Sequence, residues 1–154
     1  ALVMVGGAAN TFAKSLLGDL PPNVVATGRL TDEEIQALYA KAAALVFPSI
    51  YEGFGIPPLE AMAVSCPVIA SDIPPVREVC RDAVIYFDPH HVASITSAMR
   101  DVVDGVVDIA AVRARGLART ADFSWKKSAE RLLAMIGDVE HDNRISDPTS
   151  VGIR

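Results

Sequence analysis

The 154-residue sequence has few cysteines and no long hydrophobic run. Its two cysteines, Cys66 and Cys80, lie among apolar residues and have no second Cys or His at ligand spacing. This pattern favours buried free thiols in a reducing compartment over a disulfide or a metal site. Gly, Pro or charged residues interrupt every apolar stretch well before the ~20 residues of a membrane helix. We therefore predict a soluble, cytoplasmic protein without a metal.

Positive charge is also scarce, since the net charge is -5 and the basic residues are scattered. A nucleic-acid-binding surface normally has a basic patch or stripe, so we expect no nucleic-acid partner. The first residues lack the charged n-region and long h-region of a secretory signal. They look instead like a strand entered in mid-domain, which predicts a domain whose amino-terminal part is truncated.

Short apolar runs alternate with segments of helical periodicity along most of the chain. The predicted strands are residues 2–5, 23–27, 44–47, 67–71 and 83–87. The predicted helices are residues 32–43, 57–64, 92–103, 107–120 and 125–136, with a helical turn at 76–79. Thr31 and Glu34 have the spacing of a capping box before the first helix. The pattern predicts an α/β fold with a Rossmann-like parallel sheet and helices on both faces. We expect one domain over residues 1–137 and a disordered tail over 138–154.

Ligands of open α/β sheets bind beyond the carboxyl ends of the strands, so the loops that follow strands are the candidate sites. The first such loop, residues 6–10, lacks the G-x-G-x-x-G spacing of dinucleotide-binding proteins. We favour a plain turn there over a phosphate site.

The loop after the third strand has a more specific composition, because Gly53 and Gly55 allow close approach of the backbone to a ligand. The helix that follows presents its positive N-terminal end to this loop, which favours an anion. Pro57 and Pro58 have no N–H group. The expected donors are therefore the backbone N–H groups of Gly53, Phe54, Gly55 and Ile56.

Two carboxylates, Glu52 and Glu60, flank this loop and would repel a lone diphosphate. Taken singly, Glu60 could be a first-turn carboxylate that balances the helix dipole, and Glu52 a solvated loop residue. Together they favour a sugar nucleotide, since its ribose and hexose hydroxyls donate to carboxylates while its diphosphate binds the amides.

The segment from Glu52 to Glu60 resembles the E-x7-E motif of glycosyltransferase family 4, the retaining GT-B enzymes that use nucleotide-activated sugars. The similarity extends to residues 27–34, to residues 67–72 and to the Phe-Ser-Trp sequence at 123–125. The resemblance implies the carboxy-terminal half of a GT-B fold that binds a nucleotide-diphosphate sugar and transfers a hexose with retention. It also implies no cofactor and no obligatory metal.

By the same resemblance, Glu52 would be catalytic and face the transferred sugar. Gly53, Phe54, Gly55 and Ile56 would provide backbone contacts to the donor. Glu60 would hold the ribose hydroxyls, and Leu30 would lie against the nucleobase.

The family's acceptor-binding domain, and the Arg and Lys that neutralise the diphosphate, are expected before residue 1. We therefore expect residues 1–154 alone to be inactive, and the acceptor domain to provide any peripheral membrane contact. Two alternatives stay open: a related GT-B phosphorylase or sucrose-synthase-type enzyme, and a non-catalytic nucleotide-binding or interaction module. Trp125 is predicted to be a core or interdomain anchor, and Arg77 with Glu78 a solvated helix pair.

Overall fold

The computed structural model describes residues 1–6 and 18–145, and within them strands and helices alternate. The strands are β1 (Leu2–Val5), β2 (Val24–Gly28), β3 (Leu45–Phe47), β4 (Val68–Ser71) and β5 (Ile85–Phe87). The helices are α1 (Asp32–Lys41), α2 (Ile56–Ala63), α3 (Pro74–Cys80), α4 (Val92–Val103), α5 (Ile109–Thr120) and α6 (Trp125–Ile145). The predicted α/β fold with parallel strands is confirmed.

All strand pairs in the described residues are parallel, but they form two sheets. One contains β1 and β2, and the other has the order β3-β4-β5. Apolar runs identify single strands without specifying which edges pair, so the sequence pattern does not reveal this division.

Helices cover both faces of the three-stranded sheet, as predicted. On one face Met62 of α2 and Val76 of α3 are buried in a core cluster with Val68 of β4. On the other face Ile69 and Phe87 pack with Ala98 of α4. Successive β4 residues point to opposite faces and all four are buried, which is typical of an internal parallel strand.

Helix α2 lies at the centre of the packing, because it contacts α1, α3, α5, β3 and β4. Its residues Pro58, Ala61 and Met62 are buried. The helix that follows the candidate loop is therefore held by neighbours on several sides.

Local sequence signals predict one helix start correctly and one helix end incorrectly. The capping box of α1 is present, since the Glu34 N–H donates to Thr31 Oγ1 and the Thr31 N–H donates to Glu34 Oε2. Helix α6 runs to Ile145, so its predicted end at residue 136 is wrong, and residues 138–145 of the predicted disordered tail are helical. A single glycine such as Gly137 costs a helix about 1 kcal/mol and does not terminate it. Residues 146–154 lie outside the described residues.

Candidate functional site

The candidate site lies at the carboxyl edge of the three-stranded sheet, where the chain leaves β3 and enters α2. Since β3, β4 and β5 are parallel, the residues that follow each strand meet at this edge. The Ser71 hydroxyl at the end of β4 donates to the Phe47 carbonyl at the end of β3, at 3.3 Å. This bond joins the two strand ends beneath the loop of residues 48–55.

Gly55 is the N-cap residue of α2 and has a left-handed backbone, with φ 95° and ψ 60°. No side chain caps the helix, and prolines occupy its second and third positions. Among the described residues, no backbone acceptor binds the N–H groups of Gly53, Phe54, Gly55 or Ile56. These four donors at the positive end of the helix are thus available to an anionic ligand.

Glu52 is half-buried in the same loop. Its Oε1 accepts a hydrogen bond of 2.7 Å from the hydroxyl of Ser49. The bond is half-buried and joins the second residue after β3 to the carboxylate three positions later. The sequence prediction assigned no role to Ser49, although a hydroxyl three residues before a loop carboxylate is a local signal for such a bond.

Glu60 is exposed on α2, as the fifth residue of the helix. Its predicted place in the first turn is wrong, because α2 begins at Ile56 and has no acidic residue in that turn. The helix-dipole explanation for Glu60 loses force, since that effect decays within the first turn. Tyr39 of α1 lies nearby: burial raises the pKa of Tyr39, and the negative charge of Glu60 adds to the increase.

Leu30 is half-buried and stands directly before Thr31, the N-cap of α1. Leu30 lies just before α1 and Glu60 lies on α2, and these two helices pack against each other. Residues 52–56 are brought together by a single loop, Glu60 follows on the next helix, and Leu30 belongs to the neighbouring strand-helix connection.

Two aromatic residues join the loop to the end of α5. The Phe54 and Phe123 rings pack edge to face, with centroids 5.8 Å apart. They border an apolar cavity of about 450 Å³. It is lined by Phe54, Ile56, Leu59, Phe123, Ser124, Trp125 and Ser128. Trp125 is 88% exposed, so the prediction of a core anchor is wrong, and the interdomain alternative stays a prediction.

Two charged residues that follow β4, Asp72 and Arg77, pair with one another. Arg77 donates two hydrogen bonds to Asp72, the second at 2.6 Å from its terminal nitrogen to Oδ2, and stacks on Tyr86. The hydrogen bond from Arg77 lowers the pKa of Asp72. Arg77 and Glu78 are both exposed on α3, as predicted, but Arg77 pairs with the strand-end carboxylate of Asp72 rather than with Glu78.

Both cysteines are buried free thiols, as predicted. In the described ranges no group of three or more His, Cys, Asp or Glu residues could hold a metal ion. None of the helices described there combines the length and apolarity needed to cross a bilayer. Of the loop at residues 6–10, only Gly6 is described: it has φ 103°, and its N–H donates to the Gly28 carbonyl at 2.8 Å.

A family comparison identifies the class of protein to which this α/β fold belongs. The model of the glycosyl transferases group 1 family matches residues 1–115. The chain belongs to this family.

Similar proteins with curated names include two bacterial mannosyltransferases. The serotype-specific mannosyltransferase WbdA of Escherichia coli is 38% identical over 106 residues, which are 69% of this chain and 13% of the relative. The O-antigen chain mannosyltransferase RfbU of Salmonella typhimurium is 45% identical over 84 residues, or 54% of this chain and 24% of the relative. The chain thus spans a quarter or less of the length of either protein.

Among solved structures, the sucrose-phosphate synthase of Thermosynechococcus elongatus superposes with a TM-score of 0.74 at 22% identity. The match covers 92% of this chain and 39% of the synthase. The similarity establishes the Rossmann-like architecture of one half of a GT-B glycosyltransferase.

Proposed function

We propose that this chain is the donor-binding domain of a retaining glycosyltransferase of family 4, and that it binds a nucleotide-diphosphate sugar without a metal. The observation that carries the proposal is the loop of residues 52–56. It places four N–H groups without backbone partners beside a half-buried carboxylate at the start of a helix. The group 1 glycosyltransferase match over residues 1–115 supports the same function.

In this proposal the amides of Gly53, Phe54, Gly55 and Ile56 bind the diphosphate and the adjoining sugar atoms. As the glycosidic bond to phosphate breaks, negative charge grows on the leaving diphosphate, and these amides with the helix dipole stabilise it. Glu52 accepts a hydrogen bond from the hexose and is the catalytic carboxylate. Glu60 accepts from the ribose hydroxyls, and Leu30 packs against the base.

The sugar is proposed to be mannose, since relatives of different lengths are named mannosyltransferases. The acceptor is proposed to bind a second Rossmann-like domain across the cleft. That domain would also provide any contact with a membrane-bound acceptor. We propose that the reaction takes place in the cytoplasm.

The exposed apolar face of α6 supports a domain contact of this kind. Trp125, Leu132, Leu133 and Met135 are 88%, 59%, 68% and 65% exposed. Adjacent apolar side chains of this size are usually covered by another protein surface. We propose that the acceptor-binding domain covers them.

Calorimetric titration with uridine, guanosine and adenosine diphosphates and their mannose and glucose derivatives tests donor binding. We expect one nucleotide series to bind, and Glu60→Ala to weaken every member of it by roughly 10- to 100-fold, as for a lost hydrogen bond to a charged group. Glu52→Ala should weaken only the sugar nucleotides. The matched control is Glu78→Ala, an exposed carboxylate on α3. Unchanged binding in Glu60→Ala would refute the assignment.

Retention is tested separately by nuclear magnetic resonance of the product with a mannose donor. The proposal requires the same anomeric configuration in donor and product, and an inverted product would overturn the retaining mechanism. Transfer from an unactivated sugar phosphate would indicate a phosphorylase instead.

A further inference from the structure

Ser49 makes the hydrogen bond that sets the position of the Glu52 carboxylate. Its hydroxyl donates to Glu52 Oε1 at 2.7 Å. Among the described residues, this is the one side-chain hydrogen bond that Glu52 receives. A hydroxyl-to-carboxylate bond is charge-assisted and roughly twice as strong as a bond between neutral groups.

The donor side of this bond is anchored to the sheet. Phe47 pairs with Ala70 in the parallel ladder, and its carbonyl also accepts from Ser71, which is fully buried. Pro48 then restricts the backbone directly before Ser49. The Ser49 hydroxyl is therefore held at a defined place relative to the strand ends.

The acceptor side has less support from packing. Ile50 and Tyr51, which separate Ser49 from Glu52, are 61% and 91% exposed. Burial of these side chains therefore contributes little to the position of the loop. A glutamate side chain has several rotatable bonds, so fixing it in one geometry requires a specific contact.

We infer that Ser49 is a positioning residue that directs Glu52 toward the hexose of the donor. The inference rests on the proposed function, because it assumes that Glu52 contacts the sugar. Ser49 donates to Oε1, while Oε2 is left to accept a hydroxyl of the hexose. Ser49 thereby contributes to the preference for a sugar nucleotide over the nucleoside diphosphate alone.

The test measures dissociation constants of guanosine diphosphate mannose and guanosine diphosphate by calorimetry, with uridine diphosphate glucose and uridine diphosphate in parallel. The full-length protein is compared with Ser49→Ala, Ser49→Thr and the control Ser97→Ala, an exposed serine on α4. Ser49→Ala should weaken binding of the preferred sugar nucleotide about tenfold, which corresponds to about 1.4 kcal/mol. Ser49→Thr keeps the hydroxyl and should stay within about twofold, as should Ser97→Ala.

Binding of the nucleoside diphosphate serves as the folding control, because Ser49→Ala should leave it unchanged. An equal loss for both ligands would overturn the inference, since it would indicate a general structural role for Ser49. If Ser49→Ala kept the full preference for the sugar nucleotide over the nucleoside diphosphate, the inference about Ser49 would also be overturned. The proposal that the protein binds a sugar nucleotide would still stand. If the unaltered protein itself shows no preference for the sugar nucleotide, the hexose role of Glu52 fails, and the inference with it.

A double variant adds a second readout. Ser49→Ala introduced into Glu52→Ala should cause no further loss of sugar-nucleotide affinity, because the two side chains act as a unit. Additive losses would show that Ser49 acts independently of Glu52, contrary to the inference.

Discussion

The ring of Phe123 meets the ring of Phe54 edge-on, with an angle of 87° between their planes. The guanidinium of Arg119 also stacks on the Phe123 ring, 4.5 Å from the ring centroid. Arg119 in turn donates to the Val79 carbonyl at 2.7 Å and to the Glu78 carbonyl at 3.0 Å. These contacts join the end of α3, the end of α5 and the loop of residues 52–56.

Among these residues, Arg119 should contribute most to the free energy of unfolding. Its side chain is 11% exposed, and it satisfies carbonyls at the C-terminal end of α3 that no helical N–H can reach. We expect Arg119→Ala to lower the free energy of unfolding by about 2–3 kcal/mol, measured by urea denaturation. Arg115→Ala is the control: its partner is the Asp82 carbonyl and its side chain is 43% exposed, so the loss should stay below about 1 kcal/mol. Equal losses would contradict the prediction.

Gly116 permits the close packing of α5 on α2. A Cβ atom at this position would lie 3.0 Å from Met62 Cγ, and Met62 is 1% exposed. We expect Gly116→Ala to destabilise the protein by about 1–2 kcal/mol, because overpacking outweighs the gain in helix propensity. Gly137→Ala on α6 meets no atom within 4 Å and should raise stability slightly through helix propensity. Thermal unfolding measures both, and a stabilised Gly116→Ala would show that Met62 can move aside.

The two glycines of the loop should respond differently to alanine. Gly55 has φ 95°, so Gly55→Ala should cost about 1–2 kcal/mol of stability, although its Cβ would have room. Gly53 has no positive φ, and a Cβ there meets nothing within 4 Å. Gly53→Ala should therefore leave the melting temperature unchanged and weaken nucleotide-sugar binding, since the methyl group keeps the ligand from the backbone. Unaltered affinity in Gly53→Ala would argue against close approach at this residue.

The protein should lose stability at alkaline pH through Cys80. Burial raises the pKa of this thiol from 9.0 to about 11, although the nearby positive charge of Arg119 opposes the shift. Between these values the unfolded chain loses the thiol proton while the folded chain keeps it. The stabilising contribution is therefore complete below pH 9 and falls as the pH rises to about 11.

Urea denaturation at pH 8 and pH 10.5 measures this effect, and the change between the two values should be smaller in Cys80→Ala. Tyr86, whose pKa is raised by burial to about 12, titrates higher and remains in both proteins. An identical pH dependence in the variant would exclude Cys80 as a source.

The extent to which the sequence predicts this structure differs between local and non-local features. The Thr31 capping box depends on neighbouring residues and is found as predicted. Ser124 makes a similar local bond, because its hydroxyl accepts from the Lys127 N–H at 3.1 Å. The place of Glu60 in its helix was predicted one residue too early, because two consecutive prolines leave the helix start ambiguous. The roles of Glu52, Gly53, Phe54, Gly55, Ile56, Glu60 and Leu30 in donor binding remain predictions.

The sequence by itself determined the alternating strands and helices and the loop that contains Gly53 and Gly55 between two glutamates, since these depend on periodicity and residue type. Only the tertiary structure decided that Asp72 rather than Glu78 pairs with Arg77, and that Phe123 packs on Phe54. These contacts depend on which strand ends and helix ends meet in space. Adjacent strand and helix ends are set by the packing of the whole sheet, which no local pattern specifies.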